Sequence, residues 1–348
     1  MEYGQVKGLL AKKPRASLGF YPTPLYKLER LSSYLGVNLY IKREDFSGQS
    51  LFGGNKIRKL EYLIGDAKAQ GAEYVFTYGA TQSNHAMQTV EACKKEGLKP
   101  ILYLLAIVDP DETDLKGNLL LDKILGAEVH IIKMEAGETE EEAYERMYRL
   151  GKAHIARLET EGHRCYDVPM GGASIVGTAG FIGGLVELKE QMDQIGVHCD
   201  YLFHANGTGG TMAGLAAGKK LIGANMHIVS VDVTCHDAAY KASRVQLGND
   251  TLRWLGAEPV LTEDDLDIDP SYYLPGYEVP SKGGTEAIKL MAEQEGLLLD
   301  PVYSGKGFAG LIDYIRSGKV APGSNVVFLH TGGATALFAE KEILGELY

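Results

Sequence analysis

The spacing of apolar positions changes period repeatedly along this chain, and each change marks an element. Through Leu51–Ile64, LFGGNKIRKLEYLI, two glycines and an asparagine lead into a lysine. Ile57, Leu60, Ile64 and Ala67 then recur at steps of three and four, which predicts a helix with one apolar face. Before it the chain reads as a turn-rich opening, a short helix and a strand at Asn38–Lys42. After it, short apolar runs predict strands at Tyr74–Tyr78, Pro100–Leu105, Glu128–Ile132 and Arg164–Val168. Helices are predicted between them at Gln88–Glu96, Gly117–Leu125 and Thr139–Leu158. Thr139 followed by Glu142 has the pattern of a capping box, and the glutamate run there reads as a solvated face.

Past a glycine turn at Met170–Ala173, the alternation resumes with helix Phe181–Gln194, strand Asp200–His204, helix Thr211–Leu221 and strand Met226–Val233. An acidic loop, Thr262–Asp269, leads to Tyr272–Pro280. Helices Thr285–Gly296 and Phe308–Ser317, strand Asn325–His330 and a last helix from Gly333 complete the pattern. Strands alternating with helices predict an α/β protein with parallel-type sheets flanked by helices. Two sheets are expected, the first group of units forming a smaller domain.

Composition narrows the function. A chain of 348 residues exceeds one ordinary core and suggests two domains. A formal charge of −11 argues against nucleic acid and anionic membrane surfaces, so an anionic ligand needs a locally positive pocket. No apolar run has the length of a membrane span, and MEYGQVKGLLAKKPR lacks signal-peptide features. Four scattered cysteines without a CxxC predict reduced thiols in the cytoplasm, and no Cys/His spacing predicts a metal.

In an α/β protein, sites lie where strand carboxyl ends meet helix N-termini. Lys56 opens the first helix beside Gly53 and Gly54. The partial positive charge of a helix N-terminus disfavours an ammonium there, which favours the free amine a Schiff base needs; a solvent-facing lysine has the same local sequence. In Asp200–Gly214, DYLFHANGTGGTMAG, the loop Gly207–Thr211 can cradle a phosphate. A dinucleotide site is the competing reading, with Asp232 as ribose acid; Met212 at the third glycine position weighs against it. Ser83 and Asn84, in YGATQSNHAMQ, suit a carboxylate or a phenolic oxygen, or equally a helix cap. Thr331 in HTGGA suits a ring nitrogen or a cap, and Tyr303 and Tyr277 stand in glycine-containing loops. His85, Tyr78 and Phe308 adjoin these loops as candidate pocket walls.

A lysine, a phosphate cradle, an anchor for a heterocyclic nitrogen and proton-transfer hydroxyls are the parts of pyridoxal phosphate chemistry. GGNKIRKLEYL, QSNH, NGTGGT, GYEVP, LLDPVYSGKGFAGLI and HTGG occur in the order found in one family, and most of the chain is covered. The chain resembles the D-cysteine desulfhydrase and 1-aminocyclopropane-1-carboxylate deaminase family, of the tryptophan-synthase-β-like fold. That resemblance implies pyridoxal 5'-phosphate carried by Lys56 as an imine, with Lys56 later moving the Cα proton. It implies phosphate binding by Lys59 and by Gly207, Thr208, Gly209, Gly210 and Thr211. Asn84 would meet the phenolic oxygen, Ser83 the substrate carboxylate, and Tyr277 and Tyr303 the substrate. It also implies a large domain, 1–58 and 174–348, a small one, 59–173, and a homodimer acting on a small amino acid.

The deaminases carry glutamate after the tyrosine of DPVY, near the ring nitrogen; here Ser304 resembles the small hydroxyl of the desulfhydrases. Thr331 then becomes the neutral ring-nitrogen partner, which favours β-elimination with a good leaving group, most simply from D-cysteine. Rival readings are aminocyclopropane-carboxylate deamination, sulfite elimination from cysteate, β-replacement, and a nucleotide-binding oxidoreductase using Gly207–Gly210 with Asp232.

Overall fold

The computed structural model describes residues 1–48, 52–107, 115–277, 279 and 281–339. Leu51, Glu278 and Pro280 of the segments quoted above, and any continuation of the last predicted helix past residue 339, lie outside the described residues.

Among the described residues the strands form two sheets. The larger runs β1 (Leu25–Lys27), β2 (Asn38–Arg43), β10 (Asn325–His330), β7 (Tyr201–Asn206), β8 (His227–Asp232), β9 (Asp267–Asp269). β1 pairs antiparallel to β2, and the other pairs are parallel. The smaller sheet runs β5 (Glu128–Lys133), β4 (Lys99–Ala106), β3 (Tyr74–Ala80), β6 (Cys165–Asp167), all parallel.

Successive residues of a strand face opposite sides, so a strand covered on both faces is apolar without interruption. β10 shows this. Phe328 joins Phe203 and Val229 under α2 (Glu29–Leu35), α10 (Lys282–Glu295) and α11 (Ser304–Arg316). Val327 and Leu329 join Leu202 and Ile228 under α7 (Ile175–Gln194) and α8 (Gly210–Ile222). Helices α1 (Tyr3–Ala11) and α9 (Tyr240–Leu255) add a further layer against α7 and α8 through Val6, Leu10, Leu252 and Leu255. In the smaller sheet, Phe76, Ile101 and Tyr103 lie under α6 (Glu140–Thr160). Leu102 and Leu104 face α4 (Asn84–Glu96) and α5 (Gly117–Ile124), and Val75 faces α3 (Lys56–Ala69).

Several boundaries differ from those predicted. Helices α4, α7 and α11 start four to six residues early because their first turns are polar or glycine-rich, so the apolar period begins late; Ser83 and Ser174 cap the first two. Helix α9 has no counterpart in the prediction. Its narrow buried face is Gly248, Thr251, Leu252 and Leu255, and two of those are not apolar markers. The acidic loop contains a three-residue edge strand, β9, and the last predicted helix is a short 3-10 turn at Ala334–Phe338. The Thr139/Glu142 capping box is present at the start of α6.

Helix α3 is buried nearly all round rather than on one face. Ile57, Leu60, Ile64 and Ala67 meet the smaller sheet as the spacing predicts. Its polar side is covered as well, because Arg58 pairs with Glu44 and Glu187, and Glu61 pairs with Arg15. No helix among the described residues is long and apolar enough to cross a membrane.

Candidate active site

A cavity of about 590 Å³ opens where loops at the carboxyl ends of both sheets converge. Its walls come from the loops after β3, β7, β8 and β10, the start of α3, and one side of α6. Lys56, Lys59, Ser83, Asn84, Gly207, Thr208, Gly209, Thr211, Tyr277, Tyr303 and Thr331 all line it. Gly210 does not; it is the first residue of α8, directly behind the loop.

Asn55 ties three of these loops together. Its side-chain oxygen accepts from Lys56 Nζ at 3.1 Å, its amide donates to Thr211 Oγ1 at 3.1 Å, and its backbone N–H donates to the Thr331 carbonyl. Gly54 makes the close approach possible. A Cβ there would sit 2.9 Å from the Thr331 oxygen and 2.7 Å from Gln88 Nε2. Sequence reasoning passed over Asn55, although its position immediately before the lysine was the available signal.

Burial lowers the Lys56 amine to about 8, while Asp300 pulls the other way. Lys56 is half-buried, its amine crowded by protein where it meets the cavity. Desolvation is the main cause of the lowered value. Lys59 is deeper still, and burial first, then Lys56 and Arg244, push it well below the usual lysine range. Its hydrogen bond goes to a carbonyl, Gly171 O at 3.1 Å. A deep amine with no carboxylate partner among the described residues, beside Lys56 and Arg244, is a place where a bound anion would favour the charged form.

The glycine loop stands beside that charge. Gly209 adopts φ +82°, and a Cβ there would be 2.3 Å from the Arg244 side chain, so only glycine lets Arg244 lie flat against the loop. Arg244 donates to the Thr208 carbonyl at 2.7 Å. The Gly207 carbonyl is held by Tyr240 at 2.6 Å and approached by His236 at 3.0 Å, whose ring stacks on Tyr240. These contacts fix the loop at the N-terminus of α8, whose first N–H groups receive no side-chain cap and can bind a phosphate.

Ser83 caps α4 by accepting from the Ala86 N–H at 3.2 Å, which leaves its hydroxyl proton for a ligand. Asn84 Oδ1 accepts from Asn118 at 2.9 Å and Thr335 at 3.2 Å; its amide nitrogen has no protein acceptor among the described residues. The Thr331 hydroxyl likewise has no protein partner there. Thr77 donates its proton to the Val168 carbonyl, so the buried His85 gives Thr77 its Nε2 proton and leaves Nδ1 bare. Tyr277 and Tyr303 hydrogen-bond hydroxyl to hydroxyl, with ring centroids 5.9 Å apart.

Other expectations need correction. Tyr78 packs against Tyr148 in the smaller core, and Phe308 against Phe328 in the larger, so neither lines the cavity; His85 does. Ser304 is also behind the wall, its hydroxyl given to Asp300, whose carboxylate also accepts the N–H groups of Val302, Tyr303 and Ser304. Asp232 is buried and accepts from Asn206 at 3.1 Å, so it is not offered to a ribose. Glu140, Glu141 and Glu145, read as a solvated face, stand exposed at the cavity mouth.

The sequence pattern of the family described as "Pyridoxal-phosphate dependent enzyme" matches residues 16–332, and the chain belongs to that family. It is 39% identical over 336 residues to a D-cysteine desulfhydrase of Serratia proteamaculans, covering 95% of this chain and 97% of the relative. It is 36% identical over 336 residues to a 1-aminocyclopropane-1-carboxylate deaminase of Methylobacterium nodulans, covering 94% and 97%. A solved structure described as an ACC deaminase homologue superposes with a TM-score of 0.88 at 35% identity over 100% of both chains. The protein is therefore a pyridoxal-phosphate-dependent enzyme of the fold shared with these deaminases. The cavity fits the cofactor. It offers a buried amine for the aldehyde, a cationic glycine cradle for the phosphate, and an unused amide and hydroxyl for the ring oxygen and nitrogen.

Proposed function

We propose that the enzyme catalyses β-elimination from a small β-substituted amino acid, and that D-cysteine is its substrate. With water, D-cysteine gives pyruvate, hydrogen sulfide and ammonia. The observation that carries this reading is that Thr331 and Tyr303 bring hydroxyl groups to the cavity lining. Asp300, the nearby acid, is not part of the lining, and its oxygens are taken by the start of α11. A hydroxyl partner keeps less positive charge on the ring than a carboxylate does, which suits expulsion of a good leaving group. The Serratia relative's name supports the choice of D-cysteine.

Pyridoxal phosphate, when bound, supplies an electron sink for charge developing at Cα. Lys59 and the Gly207–Thr211 loop would hold its phosphate, the Asn84 amide would donate to its phenolic oxygen, and Thr331 would offer its hydroxyl to the ring nitrogen. Ser83 donates to the substrate carboxylate. The Lys56 amine, whose charged form burial disfavours, takes the proton from Cα in its neutral form. The Tyr277–Tyr303 pair passes a proton to the departing sulfur. The released 2-aminoacrylate then hydrolyses. The same reading divides the chain into a large domain, 1–58 and 174–348, and a small one, 59–173, each with its own sheet, and makes it a cytoplasmic homodimer.

The test is 2-oxo acid and ammonia release from D- and L-cysteine, D-serine, cysteate, β-chloroalanine and aminocyclopropane carboxylate. D-Cysteine is expected to lead in kcat/KM by roughly tenfold or more. Equal or faster turnover of the cyclopropane would replace elimination by ring-opening deamination. In the same assay Tyr303→Phe is expected to lower kcat by about 10²-fold with D-cysteine, and much less with β-chloroalanine, whose chloride leaves without a proton.

A further inference from the structure

Three ligand-bearing side chains meet away from the active-site cavity, between the edge strand β5 and helix α6. Glu128 and His130 are two residues apart on β5 and so project from one face. His154 reaches them from α6, and one ligand atom from each residue lies within 4.8 Å of the other two. We propose that Glu128, His130 and His154 form a binding site for a divalent transition metal, with zinc as the occupant that fits best.

The donor set, two imidazoles and a carboxylate, is a borderline one that favours zinc over calcium or magnesium. The histidines are already oriented. His154 Nδ1 lies 3.1 Å from the Tyr103 hydroxyl, which can accept its proton and leave Nε2 bare for a metal. Tyr103 is the register partner of His130 on the neighbouring strand, and the two rings stack at 4.6 Å and 13°. One tyrosine therefore positions both imidazoles.

His130 Nε2 and Glu128 Oε1 are 2.7 Å apart. Ligand atoms in a tetrahedral zinc site stand roughly 3.4 Å apart, so this pair opens by under 1 Å to admit the ion, while the His154 atom, within 4.8 Å of both, closes in. Glu128 is exposed, which leaves a fourth position to water. No sequence spacing announces this site, because two ligands come from a strand and the third from a helix 24 residues later.

The bound cation would tie α6 to the sheet edge. That helix also presents Tyr144, Glu145 and Tyr148 to the catalytic cavity, so the site would brace one of its walls.

The test is calorimetric titration of untagged, chelator-treated holoenzyme with zinc chloride, in buffer free of thiols and substrate. One equivalent is expected to bind per chain. Glu128→Gln, His130→Asn and His154→Asn should each weaken binding by at least ~10-fold, and Tyr103→Phe by about tenfold, the scale for a group behind a ligand. Glu128→Gln changes an exposed side chain, and its unaltered 2-oxo acid production in metal-free buffer would show an intact fold. Absence of saturable binding would overturn the proposal. So would one equivalent binding as tightly to the His130→Asn/His154→Asn double variant, since the ion would then lie elsewhere.

Discussion

Lys56→Ala is expected to give a folded protein with no covalently held cofactor and a kcat at least ~10³-fold lower. The amine has two tasks in the proposed reaction, anchoring the cofactor aldehyde and moving the Cα proton, and alanine performs neither. Folding should survive, because the side chain's hydrogen bond is to Asn55 and burial already disfavours its charge. The visible absorbance of the wild-type enzyme should disappear in the variant. Borohydride trapping followed by peptide mapping should label Lys56 in the wild type and nothing in this segment of the variant. Aldehyde capture also needs the neutral amine. Because the folded pKa lies at about 8, below the ordinary 10.5, the capture rate of cofactor-free protein should rise with pH and level off above 8. A lysine at its ordinary value would keep accelerating well past that point. Retained absorbance in Lys56→Ala would remove the chemical basis of the proposed function.

Much of the framework could be read from period alone. β10 was bounded at Asn325 and His330 because a strand buried on both faces is an unbroken apolar run between polar ends. Helix α9 was not legible, since a helix lying on other helices needs only a thin contact face and Gly248 supplies part of it; a Cβ there would be 2.3 Å from Leu261. The loops chosen for their chemistry do meet in one cavity, because a parallel sheet delivers its strand-to-helix loops to one edge. The ties among those loops were hidden. Asn55 acts across 156 residues on Thr211, and Asp300 withdraws Ser304 from the place that its position next to Tyr303 suggested. Such contacts depend on how two sheets face each other, which local pattern does not encode.

Glu187→Ala is expected to cost about 3–5 kcal/mol of folding stability, the usual scale for leaving a buried charge without its partner. Glu187, on α7, accepts from Lys42 of β2 at 2.5 Å and from Arg58 of α3 at 2.7 Å. The Lys42 side chain is 1% exposed and Arg58 5%, so water cannot replace the lost carboxylate. Arg58 keeps Glu44 at 2.5 Å, whereas Lys42 keeps only the Thr23 carbonyl and the Gln191 side chain. Glu187→Gln, which preserves an acceptor, should lose less, and urea denaturation of the three proteins measures the order. Burial by itself would raise the Glu187 carboxyl, but Arg58 and then Lys42 outweigh it and hold it at about 2, below the ordinary 4.5. A depressed carboxylate contributes stability that is complete above about pH 4.5 and lost as pH falls through 2. That part of the acid sensitivity should be absent from Glu187→Ala. Arg58 stands two residues after Lys56 on the same helix, so the network also anchors the turn that carries the Lys56 amine. On heating, the variant's visible absorbance should therefore fade at a lower temperature than the wild type's. A loss below ~1 kcal/mol would mean that water reaches Lys42, and that α3 is held by its apolar face alone.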